Sequence, residues 1–174
     1  DKDAGQRLEL SMQQHQEVED KAPFFPIGTE KFIELSLAPF GLYNLYWSWC
    51  NWYQIQRRGG ANPWLMMAIW PLSQWWFYRR VYRQAVDDGD QPRWQPLRAY
   101  LLFILPLLLS LWFVATGDHD GWFLALLLTL PNAQVNLTIN RLHDSRLHFF
   151  AQNTDLTATE WAILIAGMIA WVSL

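Results

Sequence analysis

Long uncharged stretches alternate with short charged ones along this chain of 174 residues. Ala99 to Thr116 and Trp122 to Ile139 contain no charged side chain and are rich in Leu and Phe. About twenty apolar residues are enough for a helix to cross the hydrocarbon core of a bilayer. Because only residues 117–121 separate the two stretches, the pattern predicts a transmembrane helical hairpin.

Two further hydrophobic segments precede this hairpin, from about Phe32 to Gln56 and from Pro63 to about Tyr78. Between them, Arg57-Arg58-Gly59-Gly60 supplies the cations and glycines that are typical of a helix end. Asn62-Pro63 then supplies an N-cap followed by proline at the first helical position. Pro71 interrupts the second segment. Both segments are aromatic and partly polar, which suits irregular helices surrounded by protein or by the membrane interface.

The two ends of the chain differ from its middle. Residues 1–30 are polar and acidic, so we expect a partly disordered tail or a surface helix there. They lack the apolar core of a signal peptide, so the first hydrophobic helix is expected to direct insertion. At the other end, Thr157 and Glu160 form a capping box before the apolar run Trp161 to Leu174. That run is short for a span, so it either tilts against its neighbours or continues beyond Leu174.

Together these patterns predict an all-α protein: a polytopic transmembrane bundle of about five hydrophobic helices in one domain, residues 31–174. The positive-inside rule gives its orientation. Loop 79–98 contains five arginines and loop 141–160 contains Arg141 and Arg146, whereas the 117–121 turn is acidic. The two loops are therefore expected in the cytoplasm. Arg57-Arg58 conflicts with this rule if the first two segments span the membrane, but not if they are re-entrant or interfacial, and both arrangements remain open.

Composition narrows the class further. The mean hydropathy of -0.03 averages over the charged and uncharged stretches and so hides the difference between them. The chain contains twelve Trp residues, and Trp is enriched at membrane–water interfaces. The net charge of -3 gives no reason to expect nucleic-acid binding. The single cysteine, Cys50, excludes an intrachain disulfide and a C-x-x-C site. No nucleophile elbow or phosphate-binding glycine loop is present. We therefore predict no catalytic residue, metal or cofactor, and the sequence leans away from an enzyme without deciding the question.

A series of short motifs follows Pro26: Lys31-Phe32, Leu35-Ser36, Phe40-Gly41-Leu42-Tyr43, Tyr46-Trp47 and Asn51-Trp52. With Asn140-Arg141-Leu142 and Gly167 in the last helix, this pattern resembles an uncharacterised family of bacterial multi-pass inner-membrane proteins, a domain of unknown function. The likeness covers most of residues 24–174. It implies a bacterial inner-membrane location and brings no activity with it. The chain departs from the pattern at Cys50 and Tyr53, where members often have lysine.

A polar face is the main candidate for function within the membrane. Asn132, Asn136 and Asn140 recur every four residues and so lie on one side of a helix. Glu34 and Asn44 are further polar candidates in the first hydrophobic segment. The asparagines either hydrogen-bond neighbouring helices, at about 0.6 kcal/mol each on average, or line a path for a polar substrate or ion. No acidic residue accompanies them within their helix, which favours the first alternative.

The second candidate is a basic, aromatic stretch near the predicted cytoplasmic face. Arg79, Arg80 and Arg83 follow a run of aromatic residues. Aromatic rings anchor at the headgroup level, and each arginine near the surface attracts anionic lipid by about 1 kcal/mol. These three residues are therefore predicted to contact anionic phospholipid headgroups, either as general anchors or by specific recognition.

Three hypotheses for function follow from these residues. The first is a non-catalytic accessory or scaffold subunit that associates with another inner-membrane component. The second is a small oligomeric transporter or channel that uses the asparagine face. The third is a lipid-modifying enzyme that uses His143, Asp144 and His148 at the cytoplasmic face.

Overall fold

The computed structural model describes residues 22–37, 41–117, 119–146 and 156–173. Every regular element in these ranges is helical, with no strand among them, so the predicted all-α class is confirmed. The described residues form seven α-helices and one 3₁₀ helix: α1 Thr29–Leu37, α2 Leu42–Arg57, α3 Pro63–Ala68, α4 Trp70–Asp87, α5 Pro96–Ala115, the 3₁₀ helix His119–Leu128, α6 Thr129–Arg146 and α7 Ala158–Ser173.

Each of the first two hydrophobic segments is divided into two helices. The first breaks before Gly41, which has a φ of 80° and precedes α2. Such a left-handed conformation is readily adopted by glycine. The second breaks at Ile69, just ahead of Pro71 in the first turn of α4. Proline cannot donate the backbone hydrogen bond that would join α3 and α4 into one helix. The sequence predicted the interruption at Pro71 but not the one before Gly41, and it did not show that either break separates two helices.

Three predicted helix boundaries are confirmed. The Asn62 side chain accepts a hydrogen bond from the Trp64 backbone N–H at 2.9 Å, and α3 begins at Pro63. Helix α2 ends at Arg57, and Gly59 follows with a φ of 76°. The capping box before α7 is formed by Thr157 and Glu160, which bond each other's backbone N–H groups at 2.8 and 3.3 Å.

Helices α2 and α6 run in the same direction. Asn44 near the start of α2 bonds Asn132 near the start of α6, and Trp47 bonds Asn136 one turn further along both helices. Helix α4 follows α2 in parallel, since Gln74 contacts Ser48 and Phe77 packs against the later Trp52.

Helix α5 is antiparallel to α4. Trp75 packs against Tyr100, and the earlier Trp70 packs against the later Phe103. Helix α5 is the only described helix long and apolar enough to cross a membrane, with a mean hydropathy of 2.1, and just 17% of its most apolar stretch is buried. A shorter apolar stretch occupies Ala158–Gly167.

The returning arm of the predicted hairpin is not one apolar helix. Residues 119–128 form the 3₁₀ helix, and α6 then continues to Arg146. The two arms approach closely at Gly121, where an added Cβ would overlap the Phe113 Cβ. Glycine is therefore required for this packing.

The core is largely aromatic and extends into residues expected to form the tail. Phe24 and Ile27 are fully buried, and Phe24 packs edge-on against Phe77 with ring centroids 5.9 Å apart. Hence residues 22–30 pack with the helical domain, whereas residues 1–21 lie outside the described part. Burying these aromatic side chains stabilises the hairpin of α1 and α2 against α4.

Candidate functional site

Asn132 lies at the centre of the buried polar network and joins three helices. Its Nδ2 donates to Asn44 Oδ1 on α2 at 2.8 Å. Its Oδ1 accepts a hydrogen bond from the Tyr78 hydroxyl on α4 at 2.6 Å. All three side chains are almost completely buried. Both ends of the carboxamide are thus used in contacts between helices.

Asn136 and Asn140 attach the start of α1 and the segment before it to α6. The Asn136 Oδ1 accepts from the Trp47 indole N–H at 3.2 Å, and its Nδ2 donates to the Ile27 carbonyl oxygen at 3.0 Å. The Nδ2 atoms of Asn136 and Asn140 both donate to Thr29 Oγ1 at 3.1 Å. The predicted face is therefore a line of hydrogen bonds between packed elements.

The network continues along α2. Asn44 Nδ2 donates to the Gly41 carbonyl and to Thr129 Oγ1, at 3.1 and 3.3 Å. One turn later, Ser48 Oγ accepts from the Trp70 indole N–H at 3.0 Å and contacts the Gln74 amide nitrogen. In a buried setting, polar groups that find such partners avoid the cost of an unsatisfied donor or acceptor.

Glu34 does not join this face. The structure places it on the exposed side of α1, whereas Lys31 and Ser36 on the same helix are buried. Four of the five polar candidates, Asn132, Asn136, Asn140 and Asn44, are therefore brought together, and Glu34 is separate from them.

A buried ion pair that sequence reasoning missed lies beside the network. Lys31 Nζ is 2.9 Å from Glu160 Oε2, with the two side chains 7% and 1% exposed. The Tyr43 hydroxyl donates to Glu160 Oε1 at 2.9 Å. Glu160 was predicted as a helix cap and is one, but it also ties α7 to α1 and α2. The available signal was a lysine directly before the first hydrophobic segment, since a charge that becomes buried needs a partner.

Cationic side chains from three helices gather at one end of the bundle. Arg58 follows α2, Arg80 lies on α4 and Arg146 ends α6. The pKa of Arg58 is lowered by burial and by the positive charges of Arg146, Arg57 and Arg80. Arg58 and Arg146 also act on His143, whose pKa falls to about 3, chiefly because the imidazole is buried.

Asp88 is the acid engaged with this group. Its two carboxylate oxygens accept from Arg146 Nε and Nη2, each at 2.5 Å. These hydrogen bonds lower the pKa of Asp88 and raise that of Arg146. A second pair joins Asp90 of the same loop to Arg141 of α6 at 3.7 Å. The loop before α5 and the end of α6 are therefore held together.

The three predicted lipid-contacting arginines line a common cleft. Arg79, Arg80 and Arg83 occupy its wall on α4, and the cleft has a volume of about 620 Å³. Met66 and Ile69 line it on the side of α3. Arg79 also lies over the Trp75 ring, with its guanidinium carbon 5.4 Å from the ring centroid. The cleft thus combines a basic part with an apolar part.

The residues proposed for lipid-modifying chemistry do not form a described active site. His143 is fully buried and Asp144 is exposed on the same helix, while His148 lies outside the described residues. Within the described part of the chain, no three His, Cys, Asp or Glu side chains could together hold a metal ion. Asp118 of the acidic turn is likewise outside the described residues.

Comparisons with protein-family models, curated proteins and solved structures found no match for this chain. The function proposed below therefore rests on the sequence and geometry of the chain itself.

Proposed function

We propose that this chain is a non-catalytic integral membrane protein of the bacterial inner membrane, acting as an accessory or scaffold subunit of another membrane component. Its resemblance to uncharacterised inner-membrane proteins belongs to the same proposal. The observation that carries it is the use of the buried asparagines. Asn132, Asn136 and Asn44 use both ends of their carboxamides in contacts between packed elements. Such a face stabilises a rigid bundle and leaves little polar surface for a transport path.

The outer surface supports association with lipid and with another protein. Helix α5 exposes about half of several large apolar side chains, among them Leu105, Leu108 and Trp112. Further exposed apolar residues lie on α3, α6 and α7. Contiguous apolar surface of this kind marks a membrane or protein contact in a folded chain.

A placement in the bilayer follows from helix direction. Helices α2, α4 and α6 all point toward the end where Arg58, Arg80 and Arg146 gather. Helix α3 has six residues and rises only about 9 Å, against about 30 Å of hydrocarbon. The Gly60 backbone N–H also bonds back to the Ile55 carbonyl, which shortens the connection further. In the proposed placement, the chain therefore does not recross the bilayer between α2 and α4.

In the proposed arrangement, α5 and the 3₁₀ helix with α6 as far as Ile139 form the transmembrane hairpin, and His143 and Arg146 lie beyond it on the cytoplasmic side. The pairs α1–α2 and α3–α4 enter from the cytoplasmic side and return to it. Arg57-Arg58 then lies on the same side as Arg80 and Arg146, which satisfies the positive-inside rule. This is the re-entrant alternative left open by the sequence.

The proposed function is tested by purifying the tagged protein, expressed at its native level, in mild detergent and identifying what accompanies it by mass spectrometry. A stoichiometric membrane-protein partner is the expected result. The triple variant Leu105→Ala, Leu108→Ala and Trp112→Ala should reduce that partner at least about tenfold, because three exposed anchors are removed. Leu130→Ala with Leu137→Ala provides a control on the exposed face of α6.

Two outcomes would count against the accessory role. A stable monomer without a partner would contradict it. A homo-oligomer without another protein would favour the oligomeric transporter, which would then be tested by measuring flux.

A further inference from the structure

The cleft between α3 and α4 is lined by both basic and apolar side chains, and its interpretation rests on the membrane placement proposed above. Trp76, Arg80 and Arg83 line it at positions i, i+4 and i+7 of α4, which are successive positions on one helix face. Met66 and Ile69 contribute apolar lining from α3 and its junction with α4. Its volume of about 620 Å³ lies within the range of small-molecule sites.

The polarity of the cleft changes along α4. Its apolar part, at Trp76 and Ile69, adjoins the start of the helix, where α3 and α4 meet. Its basic part lies further toward the cationic end of the bundle, with Arg80 one turn and Arg83 two turns after Trp76. In the proposed orientation, the apolar part is deeper in the bilayer and the basic part is at the cytoplasmic headgroup level.

Among the described residues, few acidic side chains are available to pair with the arginines in the cleft. Arg79, Arg80 and Arg83 make no ion pair with any residue that the structure describes. Asp87 is the acid on the cleft wall, while Asp88 is engaged in the two hydrogen bonds from Arg146. The cleft therefore retains a net positive charge that suits a phosphate anion.

We propose that this cleft binds one anionic phospholipid of the cytoplasmic leaflet, with its phosphate at Arg80 and Arg83 and its acyl chains against Trp76, Met66 and Ile69. The guanidinium groups donate hydrogen bonds to the phosphate oxygens, and the apolar wall contacts the hydrocarbon. Free inorganic phosphate shares the first chemistry but not the second. The two ligand sources are therefore separated by their dependence on acyl chains.

The test uses the purified full chain in detergent, stripped of lipid and titrated with phosphatidylglycerol or phosphatidylcholine, with bound lipid counted by native mass spectrometry. We expect one phosphatidylglycerol to bind in preference to phosphatidylcholine. The double variant Arg80→Gln/Arg83→Gln should weaken this binding about tenfold to thirtyfold, given two arginine contacts near the surface. Trp76→Ala should also weaken it by shortening the apolar wall.

The matched control is Arg93→Gln/Arg98→Gln, which removes the same charge from two exposed arginines outside the cleft. Equal phosphatidylglycerol binding by the two double variants would overturn the proposal. Displacement of the lipid by millimolar inorganic phosphate would also overturn it, because the ligand would then need no acyl chains.

Failure of this inference can be told apart from failure of the proposed function. If the protein copurifies with its partner from membranes but the two double variants bind lipid equally, only the lipid-site proposal is contradicted. If the protein is absent from the membrane fraction, the membrane placement itself is contradicted.

Discussion

Asn132 makes two hydrogen bonds that no apolar side chain of similar size could replace. In Asn132→Leu, the Tyr78 hydroxyl and the Asn44 carboxamide oxygen each lose a partner while remaining buried. We expect the free energy of unfolding to fall by about 1–2 kcal/mol. Unfolding with a denaturing detergent, followed by circular dichroism, measures this change.

Gln134→Leu is the matched control, since it replaces an exposed carboxamide on the same helix. Its unfolding free energy should stay within about 0.5 kcal/mol of the parent. If Asn132→Leu were as stable as the control but a solute flux were lost, the asparagine face would be a path rather than a contact between helices.

His143 gives stability a specific pH dependence. Its folded pKa of about 3 is below the ordinary value of 6.5, because burial and the charges of Arg58 and Arg146 disfavour the imidazolium. Between these two values the unfolded chain binds more protons than the folded chain. The unfolding free energy should therefore fall as the pH drops below about 6.5, by up to about 1.4 kcal/mol per unit from this group.

The comparison is with His143→Gln, measured by denaturant unfolding at several pH values between 7 and 4. This variant cannot take up the proton, so its stability should depend less steeply on pH than that of the parent. Parallel pH curves for the two proteins would show that His143 does not contribute to acid sensitivity.

At the scale of elements, the buried ion pair fixes α7 to α1. Lys31→Met removes the cation that faces Glu160 and should cost about 3–5 kcal/mol, because a buried carboxylate loses its paired charge. Adding Glu160→Gln should restore much of this loss, since glutamine removes the charge and retains the capping-box hydrogen bonds. Unfolding free energies of the parent, both single variants and the double variant form the required cycle. Additive effects would mean that the two charges do not interact.

Patterns of neighbouring residues predicted where helices begin and end better than they predicted which helices contact each other. The cap at Asn62, the glycine stop at Gly59 and the capping box at Glu160 depend on residues a few positions apart, and all three are confirmed. The Lys31–Glu160 pair joins residues far apart in sequence, so no local pattern could identify it. The four-residue spacing that includes Asn132 predicted a polar helix face. It could not predict that this face makes hydrogen bonds between helices, because that depends on Tyr78 and Asn44 lying next to Asn132.

The same limit applied to the hydrophobic segments. Length and apolarity distinguish a helix that could span a membrane, such as α5, from a polar surface helix. They do not distinguish a helix that crosses the bilayer from two helices that enter and return. The proposed re-entrant arrangement is argued from the parallel packing of α2 and α4 and from the shortness of α3, and both of these features belong to the tertiary structure.

At the scale of the whole molecule, charge and apolar surface are arranged asymmetrically. One end of the bundle carries the arginines at the ends of α2 and α6 and those on α4. The turn between α5 and the 3₁₀ helix lies beyond the far end of α5. A bilayer can accommodate this distribution with the arginines in the cytoplasm and the turn outside. Single cysteines in a Cys50→Ser background can test the arrangement.

Gln56→Cys, Asp87→Cys and Ser145→Cys are exposed positions near the basic end, whereas Thr116→Cys is an exposed position after α5. In intact spheroplasts, a membrane-impermeant maleimide should label only Thr116→Cys, and permeabilisation should allow labelling of all four. The decisive comparison is position 56 with positions 87 and 145. If α2 and α4 belonged to two full spans, position 56 would lie on the opposite side from 87 and would be labelled from outside. Labelling at 56 without permeabilisation would therefore exclude the re-entrant arrangement, whereas protection at 56, 87 and 145 together requires the chain to enter and leave on the cytoplasmic side.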